Sequence, residues 1–106
     1  MKLYIKDRIV LFQILPETNS FKDYSIKQSI IKTITFTEAE IAEYKIENNQ
    51  AEHRVSWDKQ LDAEKPLVVD FTDEQKQYIK AACESLSETP RPDDFWSTLT
   101  GIYEAL

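Results

Sequence analysis

The chain has 106 residues, 42% apolar and 30% charged, with a formal charge of −6 and only one cysteine, one histidine and one glycine. That length suits a single domain over residues 1–106, and the apolar fraction is too high for a disordered chain. One cysteine excludes an internal disulfide framework, one glycine excludes a glycine-rich phosphate loop, and no apolar run approaches the ~18 residues that cross a bilayer.

The opening "MKLYIKDR" has neither an unbroken apolar core nor a small-residue cleavage site after it. It is therefore not a secretory signal, and the expected location is the cytoplasm, with no membrane partner. Asp7 is expected to cap a short helix through Leu15, with Ile5, Ile9 and Phe12 near one face and Pro16 as its stop. Residues 2 to 6 can equally be extended. In "NSFKDYSIKQSIIKTI", Ser20 is an N-cap candidate and Ile26, Ile30 and Ile34 recur at helical spacing. Residues 21–35 are assigned to helix, with a long strand as the alternative because β-branched residues also alternate there.

The sharpest local signal is "FTEAEIAEYKI". The Thr37 hydroxyl can accept from the Glu40 N–H while the Glu40 carboxylate reaches back to the Thr37 N–H, and Phe36 and Ile41 stand at staple positions. "FTDEQKQYIK" has the same grammar, with Thr72 as cap, Gln75 as its partner, and Tyr78, Ile79, Ala82 and Leu86 as the buried stripe. Between these helices, His53, Val55 and Trp57 share one face of a strand, and Leu67, Val69 and Phe71 share one face of another. The two are expected to form an antiparallel β-hairpin joined by the polar loop "DKQLDAEK". A last helix follows Pro92, with Phe95, Leu99, Ile102 and Leu106 inward and Gly101 as a point of close approach by a neighbour.

Few residues carry the marks of chemistry. His53 has Glu52 and Asp58 nearby in sequence, but a strand turns both carboxylates to the opposite face, so His53 reads as structural. Cys83 lies on or beside a buried stripe and reads as a small hydrophobe. One His and one Cys make no zinc quartet, and Asp58, Asp62 and Glu64 lack the spacing of a calcium loop, so no metal and no cofactor is expected.

Charge is unevenly placed. Residues 1 to 34 hold six Lys/Arg against three acidic residues, a balance of +3, and residues 35 to 106 hold seven against sixteen, a balance of −9. Three helices followed by a hairpin is the order of a winged helix-turn-helix domain. Its recognition position would fall on residues 38–45, however, where Glu38, Glu40 and Glu43 repel phosphates. Nucleic acid is therefore disfavoured as a partner.

The stretches "DRIVLFQILPETNSF", "FTEAEIAEY" and "FTDEQ", with a Trp-bearing strand between the last two, resemble small bacteriophage and prophage proteins of uncharacterised function. The resemblance implies a viral or mobile-element setting and carries over no activity and no site residue.

The sequence thus predicts an α+β single domain, mainly helical, with one antiparallel β-hairpin and the winged-helix-like order α-α-α-β-β followed by two more helices. The expected function is a non-enzymatic interaction module that binds another protein or a second copy of itself. Its candidate partner-binding residues are Glu40, Glu43 and Glu47 on an acidic surface, with Phe95 and Trp96, which are adjacent on one helix and cannot both face inward. The alternative is a winged-helix-like nucleic-acid-binding regulator using Lys22, Lys27 and Lys32 of the basic N-terminal third. A third reading is an acidic mimic of nucleic acid.

Overall fold

A computed structural model describes residues 1–49, 51, 54–86 and 89–106. Among them run β1 (Lys2–Leu3), α1 (Ile5–Ile14), α2 (Phe21–Ile34), α3 (Glu38–Glu43), β2 (Glu47–Asn49), β3 (Arg54–Ser56), α4 (Lys59–Glu64), β4 (Leu67–Val68), α5 (Asp73–Ser85) and α6 (Asp93–Ala105). The fold is α+β and mainly helical, as expected.

Capping chemistry sets most helix starts. Ser20 Oγ accepts from the Asp23 N–H at 3.1 Å, and of the expected 21–35 helix Phe21–Ile34 is helical, with Thr35 its extended C-cap and Ile30 and Ile34 completely buried. Each such isoleucine contributes ~1.5–3 kcal/mol of burial. Thr37 and Glu40 exchange both bonds of their capping box at 3.1 Å, and Thr72 and Gln75 do so at 3.2 and 2.8 Å. Asp7 departs from its expected role. The N-cap is Tyr4, three residues earlier, and Asp7, in the first turn, accepts the Tyr4 N–H at 3.0 Å. Helix α3 closes with Lys45 at φ 53° and an Ile46 N–H···O=C Ile41 bond of 3.0 Å, the 6→1 bond of a Schellman ending.

The strand pairing differs from the expected hairpin. Strand β3 pairs antiparallel with β2, placing Asn48 opposite Val55, whereas β4 pairs with β1, placing Lys2 opposite Val68. Met1 and Val69 extend that second ribbon by exchanging backbone bonds of 2.7 and 2.9 Å. The supposed connecting loop is helix α4, because Asp58 Oδ1 caps the Leu61 N–H at 3.1 Å. The alternation itself holds: Val69 and Phe71 are buried, Val68 and Asp70 exposed. Val55 and Trp57 are half-buried, and His53 with Glu52 lies outside the described residues.

One core cluster draws on β1, α1, α2, α5 and α6. Helix α1 packs on α6, α2 on α5, and α5 on α6. Gly101 is exposed, and a Cβ there would meet nothing within 4 Å, so the close approach expected at this glycine does not occur.

Candidate functional site

Arg8 is a charge that no sequence pattern singles out. It is 2% exposed, standing on the apolar side of α1 one turn after Ile5 and one turn before Leu11. Its Nε donates to the Ile34 carbonyl at 2.9 Å and one terminal nitrogen donates to the Thr35 carbonyl at 2.8 Å, so it satisfies carbonyls at the C-terminal end of α2. The two terminal nitrogens also donate to Glu40 at 2.7 and 3.1 Å, and the guanidinium lies 4.1 Å above the Phe36 ring. Arg8 therefore locks α1 to the α2–α3 corner. It holds the Glu40 carboxyl below its usual range, against the upward push of burial. Glu40 was expected on an open acidic surface; its carboxylate is instead committed inward, to Arg8 and to the cap of α3.

A second buried charge sits at the start of α1. Asp62, expected in a solvated loop, is 7% exposed, and it accepts the Ile5 N–H at 3.0 Å with the Trp57 side chain close by. Burial pushes its carboxyl up, and these donors draw it partly back. Burial also raises Asp7 nearby, with a smaller push from the Asp62 charge. These two carboxylates serve the α1 N-terminus.

The five candidate residues disperse. Glu43 makes an exposed ion pair with Lys65 at 3.6 Å, and Glu47 lies on exposed β2 beside Asn49, Arg54 and Ser56. Phe95 faces the core, while Trp96 stands half-buried with its ring edge-on to that of Phe95, the centroids 5.4 Å apart. The adjacency argument thus resolves with Phe95 inside and Trp96 in a groove. Glu40, Glu43 and Glu47 do not join Trp96 there.

That groove, of about 320 Å³, runs between α5 and α6 and is lined by Cys83, Glu84, Trp96, Leu99, Tyr103 and Glu104. The Tyr103 hydroxyl donates to Glu84 at 2.8 Å, and this bond with the Glu84 charge raises the phenol. Burial pushes the Cys83 thiol up to about 11, so at neutral pH it is an uncharged apolar wall. The groove has an apolar floor and carboxylates on both helices at its rim.

Of the basic row on α2, Lys22 and Lys32 are exposed, but Lys27 donates to the Pro16 carbonyl at 2.7 Å, tying α2 to the turn that follows α1. Among the described residues, no three His, Cys, Asp or Glu side chains gather to hold a metal ion, and no helix is long and apolar enough to cross a membrane. The chain matches no family model, no curated protein and no solved structure.

Proposed function

We propose that the chain is a non-enzymatic protein-interaction module whose α5–α6 groove receives a basic amphipathic segment of another protein. The observation that carries this reading is the pairing, in one groove, of Trp96, Leu99 and the neutral Cys83 with Glu84 and Glu104. An apolar anchor would fill the floor, and Lys or Arg flanking it would meet the rim. Aromatic floors with a charged rim are where interface energy concentrates. The setting we favour is that of a phage or prophage accessory protein in the host cytoplasm, where a free thiol persists.

Selection of a displayed peptide library on the immobilised protein tests this. Enriched peptides should carry one bulky apolar residue flanked by basic ones. They should bind at least tenfold more weakly to Trp96→Ala and to Glu84→Lys/Glu104→Lys. Enrichment indifferent to both variants would remove the groove as the site.

Self-association is the second reading, favoured by Phe21, 87% exposed, with Tyr24 one turn on along the same face of α2. These aromatics lie in the +3 third of the chain, so a contact with the −9 remainder of a second copy would be head-to-tail. Sedimentation equilibrium should then show association that weakens with salt and is lost in Phe21→Ser. A monomer at all concentrations eliminates it.

A further inference from the structure

A second cleft, of about 860 Å³, opens on the other flank of α6, where α1, the β3–α4 segment and the start of α6 converge. Helix α1 contributes Lys6, Ile9, Val10 and Gln13, one face at i, i+3, i+4 and i+7. The β3–α4 segment adds Val55, Trp57, Lys59 and Asp62, and the α6 start adds Arg91, Asp94 and Phe95. Its volume falls within the ~300–1,000 Å³ common for small-molecule sites.

The charges inside this cleft are unequally satisfied. Asp94 is ion-paired with Lys6, and Asp62 accepts the Ile5 N–H. Among the described residues Arg91 has no such partner: its guanidinium lies 4.7 Å above the Phe95 ring, and its Nε is buried with no acceptor there. Buried donors are almost always satisfied, so an orphaned Nε–H in a chain with nineteen acidic residues calls for an explanation. The ring fixes the plane of the guanidinium and leaves its fork free, a geometry suited to two parallel bonds to one oxyanion. Lys59, exposed at the same cleft, supplies a second cation.

We propose that this cleft binds a small organic acid, its carboxylate or phosphate held by Arg91 and Lys59 and its apolar or aromatic body lying against Trp57, Val55 and Ile9. The site is separate from the α5–α6 groove and would make the chain a ligand-binding protein as well as an interaction module. The oxyanion supplies the guanidinium with an acceptor that it lacks among the described residues.

Titration of the ¹⁵N-labelled protein with 4-phenylbutyrate, phenyl phosphate and neutral 4-phenylbutyramide tests the site. Both acids, or one of them, should shift the Trp57 indole and the Ile9 and Phe95 amides at millimolar concentration, and the amide should not. The acid that binds more tightly identifies the oxyanion. Arg91→Gln should weaken binding about tenfold or more, as expected for loss of a charge-assisted pair. Arg91→Lys, which keeps the charge and loses the fork, should fall between. Peptide binding in the α5–α6 groove should be unchanged in either variant, so failure of one site does not imply failure of the other. The proposal is overturned if neither acid binds, if the amide gives the same shifts, or if binding survives Arg91→Gln. It is also overturned if the shifted residues report a contact with a second copy of the chain. Should Arg91→Gln not fold, Arg91→Lys and the acid–amide comparison still decide.

Discussion

Replacing Glu40 with Ala would remove the acceptor of two Arg8 bonds and the carboxylate that returns to the Thr37 N–H. Arg8 cannot follow Glu40 into water, because its side chain is 3% exposed and anchored to the Ile34 and Thr35 carbonyls. Removing one partner of a fully buried pair costs ~3–5 kcal/mol. Here the Glu40 side chain is 23% exposed and Arg8 retains two carbonyls, so the lower end applies, about 3 kcal/mol including the lost half of the capping box. Against a total stability of ~5–15 kcal/mol for a domain of this size, that is a large fraction. It corresponds to a fall in Tm of roughly 12–20 °C. Urea denaturation of wild type, Glu40→Ala, Arg8→Met and the double variant isolates the coupling between the pair, expected near 2 kcal/mol. Glu43→Ala is the control, since its pair with Lys65 is exposed on both sides and should change stability by less than ~0.5 kcal/mol. The Glu40 carboxyl is held below its ordinary range in the folded chain. Its contribution is therefore complete above the ordinary glutamate pKa and disappears as pH falls through the lowered folded value. A Glu40→Ala cost under 1 kcal/mol, or a coupling that persists unchanged in strong acid, would refute the lock.

Asp62 should behave with the opposite sign. Its carboxyl is raised in the fold, so ionisation is disfavoured there, and wild type should gain stability relative to Asp62→Asn as pH is lowered from 7 to 3. Urea midpoints at both pH values measure this, and a difference moving the other way would contradict the burial of that charge. Cys83, buried and pushed up to about 11, exposes roughly one thiolate in a thousand at pH 8. Labelling by an aromatic disulfide reagent should be slow in buffer and rapid in urea; fast native labelling would refute the apolar wall proposed for the groove. Lys45 ends α3 in the left-handed region, where Asn is better tolerated, so Lys45→Asn should stabilise by ~0.5–1 kcal/mol and Lys45→Val should destabilise, as read from thermal melts.

The sequence by itself determined the features that close within four residues. Ser20, Thr37 and Thr72 cap their helices as read from the letters, because a hydroxyl at the N-cap and a donor three residues on meet whenever the turn forms. The isoleucine stripe of α2 and the apolar stripe of α6 were legible for the same reason, since helical periodicity alone places them on one face. Of the site, the adjacency of Phe95 and Trp96 showed that one ring must leave the core, but not which.

Helix α4 was within reach, because Asp58 and Leu61 carry cap spacing, yet two flanking alternating runs made a loop the simpler reading. Tertiary structure decided the rest. Strand β4 pairs with β1, some 65 residues earlier, and a period of two says which side faces in without saying which strand lies alongside. Arg8 finds Glu40 thirty-two residues away, and Arg91 comes to line one cleft with Trp57 and Ile9 only when α1, the β3–α4 segment and the start of α6 converge. A backbone cap is satisfied by its own turn, whereas a buried guanidinium is satisfied or left waiting according to which elements fold against it. The fate of each charge was therefore set by packing that no local pattern encodes.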